Sequence, residues 1–224
     1  MAEAASDGTA RTGNWLWAVL VGAMLLAMEF ILFASLVPTA WSERVRDTEL
    51  AWLQQGLGPR TTEAVIARAE HWYQTLFVAP GLVATSYRII LPNETDVARA
   101  GALSPLAELP LWSWVAGRLQ VIWAALYQAL QRLAMISAWW PFLLLLLAAA
   151  WGDGWVRRRI RQSGFAYASP LAHAYALRGI AVLMMLVAVL LFLPLPLPVL
   201  GVPVIAALIG LLLGAAVANA QKRL

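Results

Sequence analysis

The stretch Asp153-Gly154-Trp155-Val156-Arg157-Arg158-Arg159-Ile160-Arg161 stands between two long apolar segments, one ending at Trp151 and the other beginning at Gly179. Long uncharged segments of this kind predict membrane-spanning helices, and basic residues beside such helices favour the cytoplasmic side. The arginine cluster therefore predicts which side of a membrane each neighbouring segment faces.

The composition is typical of a membrane protein. Hydrophobic residues make up 62% of the chain and charged residues 12%, whereas soluble domains are roughly 45–50% apolar and about 25% charged. The chain has no cysteine, which excludes disulfides, thiolate metal sites and cysteine nucleophiles. The net charge is +4, and five arginines against Asp153 fall between Gly152 and Arg178. Because the basic charge is local, it does not predict a nucleic-acid-binding surface.

The pattern of apolar segments predicts an all-α integral membrane protein with about four transmembrane helices and a helical periplasmic region between the first and second. The first apolar segment is longer than the core of about 7–15 residues in a signal peptide, so we interpret it as a retained anchor. The predicted segments are a disordered cytoplasmic tail (1–13), transmembrane helix 1 (14–37), a periplasmic helical region (38–110), an amphipathic helix (111–134), transmembrane helix 2 (135–151), a basic cytoplasmic loop (152–178), transmembrane helix 3 (179–193), a Pro-rich turn (194–203), transmembrane helix 4 (204–218) and a basic cytoplasmic tail (219–224).

The orientation follows from the basic residues. The arginine cluster and the Lys222-Arg223 tail must lie on the same side, and two spans between them satisfy that condition. We therefore expect a multi-pass protein of the inner membrane with both termini in the cytoplasm. Residues 38–134 are then on the opposite side.

The predicted amphipathic helix has one apolar stripe, which should face the membrane or a helix bundle. Its members recur at helical spacing: Leu111, Val115, Leu119, Ile122, Leu126, Leu130 and Leu133. The polar side chains of the same segment are predicted to lie on the opposite face: Ser113, Gln120, Gln128, Gln131 and Arg132.

Glu29 is a carboxylate inside the first apolar segment. A charge there is costly, so it should face protein or water rather than lipid. It is either a polar contact to a neighbouring helix or a proton or ion relay in a small transporter or channel. No acid, histidine or basic residue lies inside another predicted span, and this favours the structural contact because relays usually need partners.

The four arginines Arg157, Arg158, Arg159 and Arg161 have three interpretations. They orient the protein and attract anionic membrane lipids, at about 1 kcal/mol per basic residue near the surface. Alternatively, they dock an acidic cytosolic partner. Direct contact with DNA is the least favoured, because stacking aromatic residues and a broad basic face are missing.

The sequence predicts no catalytic, cofactor-binding or metal site. His71 and His173 fall on opposite sides of the membrane in the predicted topology and cannot share a metal ion. A membrane enzyme would have to use Glu63, Glu70 and His71, which match no second motif. Elsewhere, Gly210 and Gly214 are four residues apart in the last apolar segment and predict a helix-packing face.

Several short stretches that resemble one known protein family occur along most of the chain after Met28. They are Met28-Glu29-Phe30-Ile31, Glu49-Leu50-Ala51-Trp52-Leu53, the stretch from Asp153 to Arg161 with His173 beyond it, the proline-interrupted third segment, and the fourth segment that closes on Lys222-Arg223-Leu224. In these stretches the chain resembles the inner-membrane proteins of integrating conjugative elements, a domain of unknown function encoded near the conjugative coupling factor. Members tend to have a glycine-rich polar turn after the basic motif, whereas Gly164-Phe165-Ala166-Tyr167-Ala168 is more apolar here.

The resemblance implies a bacterial membrane component of a conjugative, type IV secretion-like DNA-transfer apparatus, and it implies no catalytic residue. We therefore expect a non-enzymatic accessory or scaffold protein that docks the coupling ATPase or other transfer proteins through Arg157, Arg158, Arg159 and Arg161. No direct contact with nucleic acid is expected.

Overall fold

The computed structural model describes residues 20–29, 36–92, 110–164 and 169–220, and every regular element among them is helical. The helices are α1 (Leu20–Glu29), α2 (Thr39–Leu57), α3 (Pro59–Tyr73) with a π-helical turn (Gln74–Val78), α4 (Leu82–Ile90), α5 (Pro110–Ala138), α6 (Trp140–Ser163), α7 (Pro170–Phe192) and α8 (Gly201–Ala218). The predicted N-terminal tail (1–13) and most of the C-terminal tail lie outside the described residues.

Two helices, α7 and α8, are long and apolar enough to cross a membrane. They correspond to the predicted third and fourth spans, and each begins earlier than the sequence pattern indicated. The predicted second span lies in α6, which qualifies only together with α5 as one broken span. Of the first predicted span (14–37), the structure describes residues 20–29 and 36–37, and the described helix Leu20–Glu29 is too short to count as a candidate crossing. Two or three of the four predicted spans are therefore present as candidates.

The junction between α5 and α6 differs from the predicted continuous segment. The two helices meet at 59°, with the break at Trp139. Pro141 stands at the start of α6, and a proline inside a continuous helix would remove one backbone hydrogen bond and clash with the preceding turn. The chain therefore begins a new helix there, in a new direction.

The first part of the predicted basic loop (152–178) is helical, since α6 continues through the arginine cluster to Ser163. Gly152 and Gly154 fall at the start of that predicted loop. Gly154 is buried against α8, where the absence of a side chain serves helix packing. The residues from 152 to 163 are therefore helical, and α7 also begins inside the predicted loop, at Pro170, where the hydroxyl of Ser169 caps it.

The core lies where α2, α3, α5 and the turn after α7 meet. Leu53, Val65, Ala69, Ala134, Met135 and Val199 form its buried cluster. Val199 comes from the Pro-rich turn and packs against Gly56 of α2, where an added Cβ would lie 3.3 Å from the Val199 Cβ. The turn between the two most apolar helices is therefore held against the more polar helices α2 and α3.

The α6–α8 layer has two different ends. At one end the Pro-rich turn contacts α2, as Trp41 Nε1 donates to the Pro194 carbonyl oxygen at 2.8 Å. At the other end Arg161 of α6 reaches Asn219 just after α8, and Asn219 also accepts from the Ser169 amide before α7. The basic end of α6 and the end of α8 are thus adjacent, and α2–α5 pack at the opposite end.

Candidate functional site

The four arginines of the cluster have different surroundings. Arg157 forms an exposed ion pair with Asp153, with Nη2 and Oδ2 2.9 Å apart. Arg161 Nη1 donates to Asn219 Oδ1 at 2.6 Å and joins α6 to the end of α8. The guanidinium of Arg159 lies over the Trp155 ring, 4.9 Å from its centre. The structure therefore divides the predicted patch into exposed side chains and one that holds helices together.

Arg158 and Arg159 line a small recess at the surface of α6 with Trp155 and Gln162. The recess has a volume of about 210 Å³. The Nε atom of Arg158 is buried and has no hydrogen-bond partner among the described residues. Cationic and donor groups are concentrated here, so an anionic group on a lipid or a protein would be attracted to this end of the protein.

Glu29 is the last described residue of α1, which runs beside α7. An added Cβ at Gly22 would overlap the Met185 side chain, so α1 and α7 are in close contact. From there α1 leads towards Arg132, whose charge acts on Glu29. Both carboxylate oxygens of Glu29 are buried without a hydrogen-bond partner among the described residues. Glu29 therefore faces protein, and among the described residues no hydrogen bond or ion pair joins it to Arg132.

Gly210 and Gly214 lie on the side of α8 that packs against α6. A Cβ at Gly214 would lie 3.2 Å from the Ala150 carbonyl oxygen, and one at Gly210 would lie 3.6 Å from the Ala150 Cβ. Gly154 is the matching residue on α6, since a Cβ there would lie 2.6 Å from the Gly214 carbonyl oxygen. Small residues on both helices allow this close backbone approach.

A buried ion pair between Glu49 of α2 and Arg132 of α5 is the most extensive polar contact in the described chain. The two residues are 4% and 2% exposed. Arg132 Nη2 and Glu49 Oε1 are 2.6 Å apart, and Arg132 Nε donates to the same oxygen at 3.0 Å. The remaining capacity of the carboxylate is used by Gln128 Nε2 and by the Leu197 amide. A buried charge pair needs such additional hydrogen bonds to offset its desolvation.

Arg132 also caps the end of α7. Its guanidinium donates to the carbonyl oxygens of four residues: Leu190, Leu191, Leu193 and Leu195. The last carbonyls of a helix lack intrahelical partners, and Pro194, Pro196 and Pro198 cannot supply backbone N–H groups to them. One side chain therefore satisfies the backbone that the prolines leave unpaired.

Neither this ion pair nor the burial of Arg132 was predicted from the sequence, which indicated only that Arg132 lies opposite the apolar stripe of the helix. In the second half of α5 the polar residues Gln128, Gln131 and Arg132 are buried, whereas Leu133 is exposed. This polar face packs inward because Gln128 and Arg132 donate hydrogen bonds to the buried carboxylate of Glu49. A signal was available, since Arg132 is the only charged residue between Arg118 and Asp153. An isolated charge in so apolar a segment indicates a buried partner.

The two histidines are far apart in the fold, and no three metal-ligating side chains come together among the described residues. His71 is exposed on α3. His173, at the start of α7, has its Nδ1 atom 2.8 Å from the Ala216 carbonyl oxygen of α8. His173 therefore joins two helices at the same end as Arg161 and Asn219.

The fold and these contacts define a class, an all-helical protein with two or three helices able to cross a membrane and a different polar surface at each end of them. A family model described as IncC plasmid conjugative DNA transfer protein DtrJ-like matches residues 33–224, and the chain belongs to this DtrJ-like family. No curated protein and no solved structure matches the chain significantly. The expected relationship to conjugative DNA transfer is confirmed at family level, and the setting in an integrating element stays a prediction.

Proposed function

We propose that this protein is a non-enzymatic inner-membrane accessory or scaffold component of a conjugative, type IV secretion-like DNA-transfer apparatus. The family supports a role in conjugative transfer with protein partners. The observation that carries the scaffold role is the two-ended arrangement, with the arginine cluster at one end of the α6–α8 layer and the α2–α5 helices packed at the other. Such a protein can hold one partner on each side of a membrane.

The proposed orientation places the arginine cluster and both termini in the cytoplasm and α2–α4 in the periplasm. The positive-inside tendency supports this orientation. The direction of α1 agrees with it, since α1 leads towards Arg132 at the Pro-rich end, away from the arginine cluster. The cytoplasmic partner we propose is the coupling ATPase or another transfer protein, docked through Arg157, Arg158 and Arg159.

Replacing Arg157, Arg158 and Arg159 together with glutamine should lower the frequency of DNA transfer about tenfold. Each exposed charge pair contributes about 0.2–1 kcal/mol, and a total near 1.4 kcal/mol corresponds to a factor of ten in affinity. Transfer is measured by mating, membrane insertion by fractionation, and docking by co-purification of the coupling ATPase from native membranes.

The matched control replaces three exposed arginines at the other end of the protein, Arg44, Arg60 and Arg88, and changes the net charge equally. Transfer and ATPase recovery should both stay near the wild-type level in this control. If the cluster variant transfers DNA normally while remaining inserted, the docking assignment is wrong. Loss of transfer with unchanged ATPase recovery would assign the cluster to anionic lipids instead.

A second candidate function is a small transporter or channel that uses Glu29. The observation that favours it is the buried carboxylate, which has no hydrogen-bond partner among the described residues. This function predicts a pH-dependent flux in liposomes that Glu29→Gln abolishes. Equal flux through the two proteins would remove Glu29 from any transport mechanism.

A further inference from the structure

A cleft opens between α2, α3, α4 and α5, at the end of the protein away from the arginine cluster. Its volume is about 510 Å³, within the range of about 300–1,000 Å³ that ligand pockets occupy. Aromatic side chains from three helices line it, Tyr73 of α3, Tyr87 of α4, and Trp123 and Tyr127 of α5. The cleft therefore has the size and the lining of a binding site.

The aromatic walls are fixed by contacts with one another. The Tyr73 and Tyr127 rings meet edge to face at 5.4 Å, and Phe77 meets Trp123 at 5.6 Å. Trp123 Nε1 also donates to Ser86 Oγ of α4 at 3.1 Å. Walls that are already ordered lose little conformational freedom when a ligand binds.

Two hydrogen-bond donors in the lining, on Arg46 and Gln131, have no hydrogen-bond partner in the part of the chain that the structure describes. Arg46 of α2 is half-buried and makes no ion pair or hydrogen bond among the described residues. Gln131 of α5 is 2% exposed, and its Nε2 atom is buried without a hydrogen-bond partner in the described chain. Buried donors are almost always paired in folded proteins. A cation and an unpaired amide in one cleft therefore indicate that an acceptor binds there.

Glu70 is absent from the lining, but its carboxylate interacts with the Tyr127 side chain of the cleft wall. Its Oε1 atom accepts a hydrogen bond from Gln74 at 2.7 Å. Burial raises the pKa of Tyr73, and Tyr87 and Glu70 raise it further. The Tyr73 hydroxyl is therefore neutral at physiological pH, and the lining residues carry a positive charge at Arg46.

We propose that this cleft binds a carboxylate-bearing peptide segment of a partner protein. The carboxylate faces Arg46 and Gln131, and an adjacent apolar side chain packs between the tyrosines and Trp123. Tyrosine, tryptophan and arginine are the residues enriched at protein interfaces. The cleft is separate from the arginine cluster, so this proposal does not depend on whether that cluster docks the coupling ATPase.

A lipid phosphate offers similar acceptors, but the walls favour a peptide. α2 and α3 both carry acidic and basic residues, and α7 and α8, the two helices that are each apolar enough to cross a membrane, contribute nothing to the lining. α5 forms one wall and qualifies as a span only together with α6. The side of the cleft that α2 and α3 form is therefore suited to water, and a soluble segment of a partner can reach it from there.

The test uses the full-length protein in phosphatidylcholine nanodiscs and two labelled probes, the blocked peptide GSWLEG and its twin GSWLQG, which replaces the carboxylate by an amide. Fluorescence anisotropy should show that the acidic peptide binds about tenfold more tightly, the usual effect of one charged hydrogen-bonded contact. Arg46→Gln should abolish this ratio. Arg44→Gln, an equal charge change on an exposed position of the same helix, should leave the ratio within about twofold.

Gln131→Leu gives an independent readout. It should weaken binding of the acidic peptide while leaving the thermal unfolding temperature unchanged or higher, because it removes a buried donor that has no partner among the described residues. Equal binding of the two peptides, or an equal effect of the Arg44 and Arg46 variants, would overturn the proposal. Displacement of the acidic peptide by phosphatidylglycerol through Arg46 would also overturn it and assign the cleft to lipid headgroups.

Discussion

Arg132→Met should lower the free energy of unfolding by about 3–5 kcal/mol, because it leaves the carboxylate of Glu49 buried and unpaired. The loss should be at the upper end of that range, since the same side chain caps the four carbonyls from Leu190 to Leu195. Glu49→Leu should lower the free energy of unfolding by a comparable amount, because it leaves the guanidinium of Arg132 buried without its carboxylate. SDS-induced unfolding in mixed micelles measures both.

The double variant of Glu49→Leu with Arg132→Met should recover part of either single loss. A buried ion pair replaced by apolar side chains leaves no isolated charge, although the carbonyls at the end of α7 still lose their donor. The control is the exposed pair of Asp153 and Arg157, where Arg157→Gln should cost about 0–1 kcal/mol. If Arg132→Met costs no more than this control, the buried pair does not stabilise the fold.

Gly154→Ala and Gly152→Ala should change stability in opposite directions, although they are two positions apart on α6. The added methyl at Gly154 would lie 2.6 Å from the Gly214 carbonyl oxygen and 2.9 Å from the Val217 Cβ. Overpacking of this kind costs about 1–3 kcal/mol and exceeds the roughly 1 kcal/mol that alanine gains over glycine in a helix. The same measurement in mixed micelles should show a destabilised protein.

At Gly152 an added Cβ meets nothing within 4 Å. Only the helix propensity changes there, so Gly152→Ala should stabilise the protein by up to about 1 kcal/mol. A matching variant on the other helix, Gly214→Ala, should behave like Gly154→Ala because it meets the Ala150 carbonyl oxygen. Similar effects at positions 152 and 154 would show that α6 and α8 do not approach each other as closely as described.

Only some of the helix-packing glycines could be predicted from the sequence. The spacing of Gly210 and Gly214 pointed to a packing face, and the structure places both against α6. Their partner Gly154 falls in the predicted basic loop (152–178), and the sequence did not indicate that it packs against another helix. A glycine at a helix end and a glycine at a close helix–helix contact cannot be distinguished by the sequence alone, because the difference lies in their tertiary contacts.

The arginine cluster shows a similar limit. Its position between apolar segments was evident from the sequence, but Arg157, Arg159 and Arg161 differ in what they contact: Asp153, Trp155 and Asn219. The first two partners are one helical turn away and follow from the helix itself. Asn219 is at the end of a different helix, and only the packing of α6 on α8 brings it to Arg161.

By itself the sequence determined the class of protein, the all-helical composition and the apolar helices α7 and α8, because hydropathy and helix periodicity are local properties. The tertiary structure alone decided that α5 turns its polar face inward, that Glu49 pairs with Arg132, and that this arginine caps the end of α7. These contacts join residues far apart in the chain. Their energies depend on the burial of residues from different helices against one another, which the sequence of one segment cannot predict.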